Sequence, residues 1–261
     1  MDKSIRSFLF FSCCLVIAFL VALNLLVFDK GHWSIYLSIL LLSPAYFFLF
    51  GKKYFKSHAV FSSLFVLTAL TLVNYFESPI YAWVVFAIPA VCAWPAVIIG
   101  GKKSGESGYA FLISTMLALS YIGLNLSFET RFPFSIFTTF VIYWWPLAVT
   151  FARFLRIFSV VGTIWTTLFF MVTNLVTTDT IWWIYPVFAL LFWPLSLFFA
   201  RYLFAYSILA TLLLSIFFIT VNVITTPHVI WAIYPIFGIL FWPLAMYFFV
   251  YRRRGVRRLF S

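Results

Sequence analysis

Acidic residues are almost missing from this chain. Six Asp and Glu stand among 261 residues beside 17 Lys and Arg, and charged residues make up 9% of the sequence. A soluble domain carries about a quarter, so a water-facing surface of ordinary polarity is excluded. Cysteine is scarce as well. Cys13, Cys14 and Cys92 lie inside apolar runs without metal-ligand spacing, and their depth excludes extracytoplasmic disulfides. They read as packing residues, with lipidation of Cys13 or Cys14 near the cytoplasmic end as the alternative.

The signatures of catalysis are also lacking. The sequence contains no G-x-S-x-G, no H-E-x-x-H and no Walker loop, and Gly-Gly-Lys-Lys at 100–103 has the wrong spacing to cradle a phosphate. No Asp, Glu, Lys or His falls in the middle of an apolar run, where an ionisable group usually marks function inside a membrane. The expectation is a protein that is not an enzyme and needs neither cofactor nor metal. Proton-coupled transport is disfavoured on the same ground.

What is present is apolar. Hydrophobic residues make up 65% of the chain, with 36 Phe, 14 Tyr and 11 Trp. They gather into ten runs, roughly 8–28, 33–50, 59–76, 80–100, 108–127, 133–152, 157–176, 180–200, 204–225 and 229–250, each near the length that spans a hydrocarbon core. Continuous runs without ten-residue alternation predict helices rather than a barrel. The first run, after Lys3 and Arg6, is longer than the 7–15 residues of a signal-peptide core and is read as a span.

The sequence repeats. Pro44, Pro95, Pro146, Pro194 and Pro243 recur every 48 to 51 residues, each expected to close an apolar helix just ahead of a basic loop. A tryptophan precedes four of them, Trp94, Trp145, Trp193 and Trp242, and an asparagine lies 20 or 21 residues upstream at Asn24, Asn74, Asn125, Asn174 and Asn222. A period of this size marks an array of one supersecondary unit. The predicted fold is all-α: a polytopic membrane protein of ten transmembrane helices in five tandem hairpins. Their limits are 1–53, 54–104, 105–154, 155–202 and 203–261, the last including a basic tail. Each unit has an even number of spans, so all five are oriented in parallel.

Charge sets the expected orientation. Fifteen of the 17 basic residues fall at the N-terminus, in the loops after the prolines and in the tail; only Lys30 and Arg131 lie in the short turns within the units. The positive-inside rule puts both termini and Lys52, Lys102 and Arg201 in the cytoplasm, and Glu77, Glu129 and Thr178 outside. The net charge of +11 then reports topology and interaction with anionic lipid headgroups, and no nucleic-acid partner is needed.

The C-terminal copies, N-L-V-T-T-D-T-I-W-W-I-Y-P from Asn174 and N-V-I-T-T-P-H-V-I-W-A-I-Y-P from Asn222, resemble the bacterial 2TM domain, a two-helix membrane hairpin found alone or joined to signalling modules. The resemblance covers residues 157–250 and weakens before them. Trp193-Pro194-Leu195 and Trp242-Pro243-Leu244 stand where that family has a glycine-rich segment ending in histidine. The resemblance implies a hairpin fold and a bacterial cell membrane.

Three residue series are candidates for a site. The five asparagines serve either as capping residues at the hairpin apex or as the lining of a polar outer vestibule. Asp29, Glu77, Glu129 and Asp179, with His228 in the fifth copy, are either ordinary turn residues or a cation-attracting ring; His32 and His228 would join the acids as a metal or pH site only if the hairpins close into a ring. Trp94-Pro95, Trp145-Pro146, Trp193-Pro194 and Trp242-Pro243 are packing joints or ligand-facing aromatics. In the first of these readings the carbonyl freed by the proline accepts the indole N–H. Aromatics open each second helix at Trp33, Trp83, Phe134, Trp182 and Trp231, and another follows three residues later at Tyr36, Phe86, Phe137, Tyr185 and Tyr234. The expected function is a non-catalytic accessory, sensory or scaffold protein of the cell membrane; the alternative is a small-solute or ion transporter or channel.

Overall fold

The computed structural model describes residues 3–27, 31–50, 52–128 and 132–252. All regular structure among them is helical: α1 (Lys3–Leu26), α2 (Trp33–Phe50), α3 (Phe55–Glu77), α4 (Val84–Gly100), α5 (Ser107–Ser127), α6 (Phe134–Phe151), α7 (Leu155–Thr177), α8 (Ile184–Phe199), α9 (Leu203–Thr225) and α10 (Ile233–Met246). Tight 3₁₀ segments at Lys52–Tyr54 and Gly101–Gly105 follow α2 and α4, and a π turn at Tyr247–Tyr251 continues α10.

Nine of these helices, two of them extended by their tight turns, are long and apolar enough to cross a membrane among the described residues. The tenth apolar run gives a shorter helix. α8 has 16 residues, about 24 Å at 1.5 Å per residue, although its run begins near residue 180. It opens at Ile184, ten residues after Asn174, as α4 opens ten after Asn74, and it stays short because no helical segment continues it past Phe199 as Gly101–Gly105 continues α4.

The chain forms two compact units, Met1–Val149 and Thr150–Ser261. In the first, α1 packs on α2, α2 on α3, α3 on α4 and α4 on α5, and hydroxyls of α5 bond to α6. In the second, α7 packs on α8, α8 on α9 and α9 on α10. Arg6 of α1 closes the far end of α2, donating to the carbonyls of Phe48 at 3.3 Å and Leu49 at 3.0 Å. A cation suits the negative end of that helix.

The packing is inverted relative to a soluble core. Ala59, Ala110, Ser114, Ser159, Ser207 and Ala210 are fully buried, whereas Phe8, Leu15, Leu26 and Tyr234 are each at least 70% exposed. Small residues recur four apart on the first helix of a pair: Ala59 and Ser63, Ala110 and Ser114, Ser159 and Thr163, Ser207 and Thr211. Without water to drive large side chains together, helices gain by bringing backbones close, and small residues allow that approach.

The prolines do not end their helices. Pro44, Pro95, Pro146, Pro194 and Pro243 all lie inside regular helix, with three to six helical residues beyond each. A proline removes one donor and frees one carbonyl four residues back, and a neighbouring helix can satisfy that carbonyl. Ser63 Oγ donates to the carbonyl of Val91, freed by Pro95, at 3.1 Å. Ser114 Oγ reaches that of Ile142, freed by Pro146, at 3.4 Å. At Pro95 and Pro146 the expected indole donor is thus replaced by a serine on the facing helix. Trp94 is 49% exposed and turned outward.

This pairing has a measurable coupling. Ser63→Ala should cost about 1–2 kcal/mol by orphaning the Val91 carbonyl. In a Pro95→Ala background the restored N–H takes that carbonyl, and the same change should cost less than half as much. Denaturation of the four proteins in detergent closes the cycle; strictly additive losses would disprove the pairing.

Candidate functional site

The helix pairs are joined at one end by the asparagines. The last carbonyls of one helix and the first N–H groups of the next lack intrahelical partners, and in an apolar setting each orphan is costly. Asn74 Nδ2 donates to the carbonyls of Ser78 at 2.7 Å and Tyr81 at 2.8 Å, while its Oδ1 accepts from the Val84 N–H at 3.1 Å. Asn222 repeats this with Thr226 at 2.9 Å, Val229 at 2.7 Å and the Ala232 N–H at 2.9 Å. Asn174 donates to Thr178 and Thr180 and accepts from Trp182 at 2.7 Å and Trp183 at 3.0 Å. These three side chains are buried.

The other two are variations. Asn125 Oδ1 accepts from the Ser135 N–H at 3.0 Å. Asn24 donates to the Gly31 carbonyl at 3.3 Å, and its Oδ1 accepts from the Ser34 hydroxyl at 2.5 Å, so a side chain stands where the other pairs use a backbone N–H. An amide is the group that offers two donors and an acceptor from one short stem. At Asn74, Asn174 and Asn222 both its polar atoms serve the turn and the opening of the next helix.

The outer acids occupy different surroundings. Glu77 is exposed and accepts from the Tyr36 hydroxyl at 3.1 Å. Asp179 is exposed in the turn after α7. Asp29 and Glu129 lie outside the described residues, and Glu77 and Asp179 belong to different units. His32 stacks on Phe76 with ring centroids 3.9 Å apart, and His228 is exposed in the turn before Trp231. No group of three or more His, Cys, Asp or Glu able to hold a metal occurs among the described residues. Cys13, Cys14 and Cys92 are free thiols.

At the Trp-Pro positions, Pro146 is fully buried beside a half-buried Trp145. The Trp193 ring meets Phe158 edge-on at 5.7 Å, and Trp242 meets Tyr206 at 5.9 Å. Both are contacts with the first helix of the same pair, in the edge-to-face geometry that aromatic rings favour.

Sequence reasoning missed the ring that joins one pair to the preceding one. His58, Tyr109 and Tyr206 each stand one residue before a fully buried small residue, Ala59, Ala110 or Ser207. His58 Nε2–H donates to the Ser43 carbonyl at 3.1 Å inside a ring of Tyr46, Phe47 and Phe55, and its Nδ1 is buried without a partner. The Tyr109 hydroxyl donates to the Ala96 carbonyl at 2.6 Å, passing so close to Gly100 that a Cβ there would lie 2.6 Å from the ring. The Tyr206 hydroxyl bonds to Ser196 Oγ at 3.1 Å. At the opposite end the second aromatic does similar work in two of the openings: Phe86 meets Phe128 and Phe134, and Tyr185 meets Phe217. The signal for the first seam, an aromatic followed by a small residue early in each first helix, was present but is not tied to the Asn and Pro markers of the period.

No protein-family model, curated protein or solved structure matches this chain.

The asparagine geometry sets an expected ranking. Asn222→Ala removes three bonds and should destabilise the second unit by about 2–4 kcal/mol, since each net bond contributes about 1 kcal/mol and orphaned groups add more. Asn222→Asp keeps the shape but turns a carboxylate toward two carbonyls, and should be no better than alanine. Thr225→Ala, which loses only local bonds to the Val221 carbonyl and the Thr226 hydroxyl, should stay within about 0.5 kcal/mol. Equal melting of all three in detergent would contradict the role assigned to the amide.

Proposed function

We propose that this is a non-catalytic integral protein of a bacterial cell membrane, an accessory, sensory or scaffold component. In this reading ten spans form five hairpins inserted in parallel, with both termini cytoplasmic. The observation that carries it is the use of the polar side chains. The asparagines bond to their own turns, and Ser63, Ser114, Tyr109 and His58 bond to backbone carbonyls of facing helices. Polar atoms used in this way hold helices together and are not free to replace the hydration shell of a passing ion. The likeness of residues 157–250 to the 2TM hairpin supports the same class. The exposed aliphatic and aromatic faces suit contact with lipid or with the apolar face of another membrane protein.

The competing transport reading is tested in proteoliposomes. Purified full-length protein is expected to leave Na⁺, K⁺ and H⁺ gradients as stable as in protein-free vesicles. The variant carrying Asp29→Asn, Glu77→Gln, Glu129→Gln and Asp179→Asn should insert and behave like the parent. A cation flux in the parent that falls in this variant would overturn the proposal and identify a channel or carrier.

A further inference from the structure

The second unit carries an open groove of about 420 Å³ between α7, α8 and α9, within the range of ligand sites. Its walls include Val160, Pro194, Leu195, Phe198, Leu212 and Ile216, and every lining residue is apolar. On α8 the lining runs from Leu191 to Phe199, about 12 Å at 1.5 Å per residue, close to the depth of one leaflet of a 30 Å hydrocarbon core.

One end of this groove is cationic. The Arg156 guanidinium sits 5.6 Å over the ring of Phe198, a wall residue, and Val160 lies one turn further along the same face of α7. Arg153 and Arg201 are exposed in the turns at this end. Among its described residues, this unit supplies no side-chain carboxylate at this end. Asp179 is the only side-chain carboxylate beyond residue 129, and it lies past the opposite end of α7, about 34 Å along the helix from Arg156. An apolar slot one leaflet deep, with an uncompensated guanidinium at its mouth, matches one class of molecule.

We propose that this groove binds an anionic glycerophospholipid, one acyl chain lying along Leu212 and Ile216 and the phosphate paired with Arg156. The inference rests on the membrane reading above and extends it by naming a specific site. Arg156 selects the headgroup, because a guanidinium pairs bidentately with phosphate oxygens. The groove selects the chain. The bound lipid fills the space that the packing of α8 against α7 and α9 leaves open, and so braces the second unit.

The test uses full-length protein purified in mild detergent, stripped of lipid and titrated with phosphatidylglycerol, phosphatidylcholine or inorganic phosphate, with native mass spectrometry as the readout. The parent should retain phosphatidylglycerol about fivefold better than phosphatidylcholine, the ratio that ~1 kcal/mol from one basic side chain provides. Arg156→Gln, an exposed substitution, should bring that ratio close to one without loss of folding. Leu212→Trp, which fills the slot, should reduce retention of both lipids. Equal retention of the two lipids by the parent, an unchanged ratio in Arg156→Gln, or an Arg156-dependent adduct with inorganic phosphate alone would each overturn the proposal. Alkaline washing of cell membranes separates the two levels of inference. Release of the protein into the supernatant would defeat the membrane reading itself, whereas retention without lipid preference would defeat only this site.

Discussion

The interaction on which the structure depends is the hydrogen bonding of each asparagine amide across its own turn. A chain with so few charges has little to offer water, so backbone groups exposed where one apolar helix ends and the next begins need partners from within. One amide answers for both ends at once. At Asn74 and Asn222 its two donors hold the carbonyl just past the end of the first helix and one further along the turn, and its acceptor opens the second helix ten residues on. Asn174 accepts from two successive N–H groups, those of Trp182 and Trp183, and α8 opens at Ile184, ten residues on, as α4 does after Asn74.

From that joint the packing follows. Helices tied at one end are brought side by side, and the residues between them are small: Ala59 and Ser63, Ala110 and Ser114. Close approach lets a serine hydroxyl reach the carbonyl that proline frees on the opposite helix, so a proline deep in an apolar helix becomes tolerable. Neighbouring pairs are then fastened by rings, with Tyr109 against the Ala96 carbonyl and Phe86 against Phe134. The asparagines, Ser63, Ser114 and Tyr109 are structural fastenings, which is why the functional proposal favours a scaffold or sensory part over a conduit. In the second unit Thr163 and Thr211 hold the corresponding places, yet their hydroxyls are buried without partners.

Much of this was legible in the sequence, for identifiable reasons. Run length and apolarity identified the helices, because a continuous apolar stretch of about 20 residues has few other outcomes. The asparagines stood out through their period, and their place next to the turns suggested capping. The role of proline was misjudged. Read alone it is a stop signal, and the residue that keeps the helix going lies 32 positions earlier, in Ser63 for Pro95 and Ser114 for Pro146. The aromatic seam at His58, Tyr109 and Tyr206 was missed because these residues differ in chemistry while sharing a position. The acidic series could be followed only at Glu77 and Asp179, which contribute a tyrosine contact and an exposed turn. The apolar groove depends on how three helices meet, and no periodicity reports that.

The central claim is that buried amides, and not the turns around them, secure the helix pairs. Hydrogen–deuterium exchange on the intact protein in lipid nanodiscs addresses it most directly. The amides of Val84, Trp182, Trp183 and Ala232, bonded to asparagine Oδ1 atoms, lie beside turn residues such as Ile80, which is fully exposed. They should exchange at least about tenfold more slowly than the Ile80 amide, a protection of ~1.4 kcal/mol or more. Exchange at the same rate as the turn amides would mean that the asparagines do not hold the pairs together.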